Sequence, residues 1–231
     1  MTLLPDHRNS PILVTGMARS GTSMVAGLLA LSGAWVGRTL AGDAHNPKGY
    51  FENLALREGV CKRLLQALGC DPLGIGKLPA LDALPKVDGL TAPILAVLEK
   101  QGYDGKCPWL FKDAKMALLW PIWRDAFPAA RWVVVRRDEA GVVASCLRTP
   151  FMCQHSEDPA FWRTVIAAYR ARLDALVEWG AASGARVYEV GADALVAGDL
   201  GPMVTLAEAL ELHWNAESAD RFVAREHWHA G

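Results

Sequence analysis

"ILVTGMARSGTSMVAGLL", residues 12–29, joins an apolar run to an apolar helix through a small-residue loop that holds one cation. Gly16 and Gly21 sit five apart, and Thr22 and Ser23 follow. The spacing nearly spells a phosphate-binding P-loop, yet Thr22 stands where that pattern requires a lysine. Arg19 supplies positive charge inside the loop instead. Backbone N–H groups at a strand-to-helix turn hold anions through unsatisfied donors and the helix dipole. The glycines let the backbone approach a ligand closely, and the hydroxyls of Ser20, Thr22 and Ser23 add donors. The stretch predicts a buried strand, an anion-binding loop and a helix closing at Gly33.

Composition narrows the classes. With 231 residues, 52% hydrophobic and 21% charged, the chain can bury a sizeable core and is not disordered. A formal net charge of -1 leaves no basic stripe for nucleic acid and no polybasic membrane signal, so neither partner is expected. The nine Trp are expected in core and rim packing. Five cysteines without CxxC or His-rich spacing predict neither zinc nor a disulfide framework, and with them a cytoplasmic setting. "MTLLPDHRNS" carries charge and Pro5 where a signal peptide needs an apolar core. Residues 20–37 are uncharged, but nearly half are Gly, Ser or Thr, so no stable membrane insertion is expected.

Along the chain, strand and helix alternate, the grammar of a parallel sheet covered on both faces. Strands are expected at 11–15, 109–112, 131–136 and 186–190. Helices are expected at 52–69, with apolar spacing at Leu54, Val60, Leu64, Leu65 and Leu68, and at 90–102. Further helices are read at 138–148, with Asp138 as N-cap, at 161–180 and at 202–212. Residues 71–89 and 149–160 read as loops. No repeat or linker divides the chain, so one domain over 1–231 is expected, a P-loop-like α/β/α sandwich on a mostly parallel sheet.

A second group accompanies the loop. Arg137 follows the 131–136 strand and Ser145 stands eight residues on, inside the next helix. Ligands bind at the carboxyl ends of strands in this architecture, and an arginine there offers a fork for phosphate.

These residues together resemble sulfotransferases that use 3′-phosphoadenosine 5′-phosphosulfate (PAPS). "GMARSGTS" (16–23) is similar to the family's loop for the 5′-phosphosulfate. Arg137 with Ser145 is similar to its 3′-phosphate motif. "LFKDAKMALLWPIWRDAFPAARWVVVRRD" follows the family's order of strand-end lysine, helix, "W…FP" and strand. "GDAHNPKGYFEN" (42–53) resembles a stretch of bacterial members. The resemblance runs from about residue 11 to 150, with a weaker echo in "RVYEVGADALV".

It implies sulfuryl transfer from PAPS to a hydroxyl or amine, with a small-molecule or carbohydrate-type acceptor and no metal. Arg19, Ser20, Gly21, Thr22, Ser23, Arg137 and Ser145 would hold the nucleotide. Arg19, over the bridging oxygen, and Lys112 would stabilise developing charge. Members acting on small phenols and alcohols carry a histidine two residues past the strand-end lysine, where this chain has Ala114. Carbohydrate and tyrosyl-protein sulfotransferases use a glutamate, which leaves Asp43, His45 and Glu52 as candidate bases. Of these Glu52 is expected, its pKa raised by Tyr50 and Phe51 beside it. Phe151, Met152 and His155, with 71–89, are expected to shape an acceptor pocket of some apolar character. The alternatives are a P-loop kinase or NTPase with Asp113 holding Mg²⁺, and a nucleotide-binding regulator without turnover.

Overall fold

The computed structural model describes residues 6–43, 46 and 48–223. A strand β1 (Ile12–Gly16) leads into helix α1 (Thr22–Leu31). A strap then returns through Asn53 to a helical run made of α2 (Leu54–Leu56), a π-helical stretch (Arg57–Lys62) and α3 (Arg63–Ala67). After α4 (Thr91–Lys100) come β2 (Leu110–Lys112), α5 (Met116–Ala126), β3 (Arg131–Arg136) and α6 (Glu139–Arg148). Helices α7 (Pro150–Cys153) and α8 (Pro159–Ser183), strand β4 (Val187–Gly191), and helices α9 (Ala192–Val196), α10 (Gly201–Ala209) and α11 (Ala216–Val223) complete the order.

The four strands form one sheet in the order β2-β1-β3-β4, and every pairing is parallel. Parallel strands buried on both faces read as continuous apolar runs, which is what "ILV" and "WVVV" are. Side-chain alternation splits them between two cores. Leu13, Phe111, Trp132 and Val134 pack with α5, α6 and α8 on one face. Ile12, Val14, Leu110, Val133 and Val135 pack with α1, α10 and α11 on the other. The result is the three-layer α/β/α arrangement. Trp109, Trp123, Trp132 and Trp162 are fully buried, as core packing requires.

Two local readings differ from the structure. Of the apolar face expected at Leu54, Val60, Leu64, Leu65 and Leu68, Leu65 is buried but Leu54 is exposed, and Leu56 and Cys61, outside that set, are buried with it. The π-helical stretch Arg57–Lys62 takes more residues per turn than an α-helix, which rotates the apolar face off the 3.6-residue period. Residues 149–160 are not all loop, because Pro150 at the first helical position starts the single turn α7. Among the described residues no helix is long and apolar enough to cross a membrane.

Register brings the chemistry to one edge. Val14 lies opposite Lys112 and Gly16 opposite Val135, so the ends of β1, β2 and β3 emerge together. At Gly16 a Cβ would stand 2.6 Å from the Val135 carbonyl oxygen and 2.9 Å from Ser20 Oγ. Gly16→Ala therefore forces β1 from β3 or opens the loop. It should destabilise the protein by about 1–3 kcal/mol, the usual cost of overpacking. Urea unfolding should show a lower midpoint with an unchanged slope; an unchanged midpoint would mean the strand ends are not this tightly apposed.

Candidate active site

The β1–α1 loop is held open by its own backbone. Gly21, φ 91°, caps α1 without a side-chain hydrogen bond, and Arg19 has φ 70°. A left-handed backbone is costly for a side-chain-bearing residue and marks a place where geometry is imposed. The first N–H groups of a helix have no intrahelical acceptor. Beside them Ser20 is 2% exposed, and its Oγ has no hydrogen-bond partner among the described residues. A buried hydroxyl without a partner costs about 1–3 kcal/mol unless a ligand supplies one.

The Arg19 side chain reaches to α6. Its Nε donates to Ser145 Oγ at 3.0 Å, and Arg137 Nη1 donates to the Arg19 carbonyl at 3.2 Å. Ser145, on α6, is buried. The loop and the Arg137–Ser145 group, read separately in the sequence, are thus bonded into one unit. The Arg19 guanidinium thereby bridges the two halves of the site. Burial lowers its pKa from an already very high value, so it stays a cation. Asp193 Oδ1 lies 3.9 Å from Arg137 Nε.

Lys112 points at the start of α1. Its side chain is 5% exposed, and Nζ donates to Glu52 Oε1 at 2.8 Å and to Ser23 Oγ at 3.2 Å. Ser23 Oγ donates in turn to the Tyr50 carbonyl at 3.3 Å. A buried ammonium needs a counter-charge, and the strap supplies it. The strap is shaped for this task. Asn53 caps α2 with its side chain and, nearly buried, pairs with Gln101, which also accepts from the Arg38 N–H. Phe51, immediately before Glu52, has φ 54° and packs its ring edge-on to Phe222. This is a second strained residue at the site.

Glu52 carries two ion pairs, since Oε2 lies 3.0 Å from Arg57 Nε. Its pKa is the reverse of the sequence expectation. Burial pushes it up, but Lys112, Lys115 and Arg57 outweigh burial and hold the carboxyl below its ordinary value. The aromatic neighbours do not decide it. Tyr50 has its own pKa pushed up to about 12, first by burial and then by its hydrogen bond to Asp43. Lys115 was not foreseen at the site. Burial works against its charge, but Asp113 and Glu52 keep its pKa above the usual lysine value.

The other candidates fare differently. Asp43 accepts from Tyr50 Oη at 2.8 Å and from the Asn46 N–H at 2.9 Å, as a turn-capping carboxylate. His45 lies outside the described residues. Asp113 is 0% exposed, and its Oδ1 is taken by Lys115 Nζ at 2.8 Å and by the Lys115 N–H at 2.9 Å. Of the expected acceptor residues, Phe151 is 44% exposed while Met152 is buried in the core and cannot line a pocket. The 71–77 turn lies against Lys115 at Gly74, whose carbonyl accepts from Tyr169 Oη at 2.9 Å.

The strand-end loop, the arginine–serine pair and the buried lysine–glutamate pair thus meet at one sheet edge of a P-loop-like fold. The chain belongs to the sulfotransferase family, whose family model matches residues 11–216. Comparison with curated proteins gives no match. Among solved structures it is similar to sulfotransferase STF1 of Mycobacterium tuberculosis, at 17% identity and a TM-score of 0.57 over 94% of this chain and 71% of that one. It is also similar to the sulfotransferase domain of the Synechococcus olefin synthase, at 16% identity and 0.57, covering 93% of this chain and 78% of that one. The sulfotransferase STF9 of Mycobacterium avium aligns at 18% identity and 0.54, covering 98% and 69%. At these identities the likeness carries the P-loop-like fold.

The Glu52 pairs should be visible in stability. The folded-state pKa lies below the unfolded one, so the stabilisation is present above the unfolded value of about 4.3 and is lost as pH falls through the folded value. Glu52→Gln should cost about 1–3 kcal/mol at neutral pH, the range for hydrogen bonds to charged groups. The gap to wild type should close below the ordinary carboxylate range. A gap that stays constant down to pH ~3 would mean that folding leaves the pKa of Glu52 unshifted.

Proposed function

We propose that this chain is a cytoplasmic, bacterial-type sulfotransferase that moves the sulfuryl group of PAPS to an acceptor hydroxyl or amine, leaving adenosine 3′,5′-bisphosphate. A small-molecule or carbohydrate-type acceptor fits the site. The observation that carries the reading is the joining of the β1–α1 loop to Arg137 and Ser145 through the Arg19 side chain, with Lys112 on the other side of the loop. One anion can sit against the α1 N-terminus while a second meets Arg137 and Ser145, the charge pattern of a nucleotide phosphorylated at two separated positions. Five free thiols suit a reducing compartment.

The chemistry follows from the charges. The acceptor oxygen attacks sulfur while the bond from sulfur to the bridging phosphate oxygen breaks, and in-line displacement of this kind depends on positioning and charge stabilisation. Lys112 neutralises the charge that grows on the bridging oxygen, and the α1 N–H groups with Ser20 and Ser23 hold the phosphate. Glu52, already a carboxylate, receives the acceptor's proton. No metal enters the scheme, because Lys112 and Arg19 supply the positive charge.

Incubating the protein with ³⁵S-labelled PAPS and an acceptor panel should transfer label to hydroxyl-bearing compounds; transfer of phosphate from ATP instead would sink the reading. Arg137→Ala should weaken adenosine 3′,5′-bisphosphate by roughly 10- to 100-fold, the size of a lost charged hydrogen bond, and adenosine 5′-phosphate much less. Equal losses would show that Arg137 does not read the 3′-phosphate. Lys112→Ala should lower kcat by roughly 10²- to 10³-fold. A change of only a few-fold would remove Lys112 from the charge-stabilising set.

A further inference from the structure

Glu52 uses its two oxygens for two different cations, and only one of those cations faces the donor site. Oε1 accepts a hydrogen bond from Lys112, which also contacts Ser23 at the α1 start, and Oε2 lies 3.0 Å from Arg57 Nε as a charge contact without hydrogen-bond geometry. Arg57 is itself fixed from the far side. Its Nη1 lies 3.1 Å from Glu58 Oε1, which also takes Lys62 Nζ at 2.8 Å. Its backbone N–H donates to the Asn53 carbonyl at 2.9 Å, so main chain and guanidinium are anchored next to the strap. Arg57 opens the π-helical stretch, and π-turns inside helices recur at functional sites.

We propose that Arg57 is a positioning residue for the general base: it holds Glu52 by Oε2 and leaves Oε1 as the oxygen that accepts the acceptor's proton. This inference rests on the sulfotransferase reading above. During transfer Lys112 is needed at the bridging oxygen, which takes it from Oε1. Without Arg57 the carboxylate would then be free to rotate and would lose its remaining direct partner. With Arg57 it keeps its orientation and its charge at the moment a proton must be taken. The proton moves from the acceptor hydroxyl to Oε1, the electron pair of that O–H bond stays with the acceptor oxygen that bonds to sulfur, and the departing bisphosphate keeps the electrons of the broken S–O bond.

The charged and titratable groups around Glu52 come from several elements. Arg57 and Glu58 lie on the helical run that follows the strap, Lys112 ends β2, and Lys115 stands at the N-terminus of α5, bonded to Asp113. Tyr50 comes from the strap. Lys115 acts on Glu52 through space while its ammonium is bonded to Asp113, so it cannot orient the carboxylate as Arg57 does.

The test is a ¹³C NMR titration of the glutamate side-chain carboxyls, with Glu52 assigned by its loss in Glu52→Gln. It is run on wild type, Arg57→Leu and Arg57→Lys, with and without adenosine 3′,5′-bisphosphate. The Leu variant should move the Glu52 midpoint upward by about one pH unit or more, the scale of losing an adjacent arginine. The Lys variant should restore most of that shift, which a merely structural role for Arg57 would not produce. A Leu variant in which Glu52 titrates as in wild type overturns the proposal. Should the Leu variant not fold, the Lys variant decides alone: it folds with a Glu52 midpoint near wild type, or the assignment fails. Failure of the sulfotransferase reading has a separate signature, a wild-type Glu52 resonance that the bisphosphate leaves unmoved, which removes the base and with it the purpose assigned to Arg57.

Discussion

The ammonium of Lys112 is the constraint around which the site is built. It ends the shortest strand, opposite Val14, inside a sheet whose other residues there are apolar. A buried, unpaired ammonium is prohibitively costly, and removing one partner of a buried pair costs several kcal/mol. The strap must therefore close over the sheet edge and bring Glu52 to it. Three features serve that closure: the left-handed backbone at Phe51, the Asn53–Gln101 amide pair, and the ring packing of Phe51 on Phe222. Two positive-φ residues, Arg19 and Phe51, flank the same place from opposite segments. Local strain at both points is held by the surrounding packing, as expected where geometry serves chemistry.

Much of this was legible in the sequence, for physical reasons. Parallel strands buried on both faces leave uninterrupted β-branched runs, so β1 and β3 stood out. Asp138 was read as an N-cap from local chemistry, and its side chain does accept from the Gly141 N–H at 3.0 Å. The loop glycines and the Arg137–Ser145 spacing are also local patterns. Helix α5 was not evident from periodicity, because it is buried on nearly every side and carries Pro121 within it. The π-helical stretch cannot be seen by a 3.6-residue template at all.

What the sequence concealed is long-range. The charge state of Glu52 depends on Lys112, Lys115 and Arg57, of which two lie some sixty positions away. Reading only its aromatic neighbours gave the wrong direction. The Arg19–Ser145 bond spans 126 positions, so the sequence could offer the two halves but not their junction. The one signal available for Arg57 was a lone cation shortly after the candidate base, and its π-helical setting hid the geometry that brings it back.

The missing P-loop lysine now has a physical account. A triphosphate with Mg²⁺ needs a lysine within the loop and a strand-end carboxylate for the metal. In this chain Thr22 replaces the lysine, and Asp113, fully buried, spends Oδ1 on Lys115. The cations instead stand at the two flanks of the loop, Lys112 on one side and Arg19 with Arg137 on the other. That separation suits an adenosine carrying anions at two distant positions. Calorimetric titration compares the candidate ligands most directly. Adenosine 3′,5′-bisphosphate should bind with a measurable heat and ATP·Mg²⁺ at least tenfold more weakly. Tighter binding of ATP·Mg²⁺ would contradict the account.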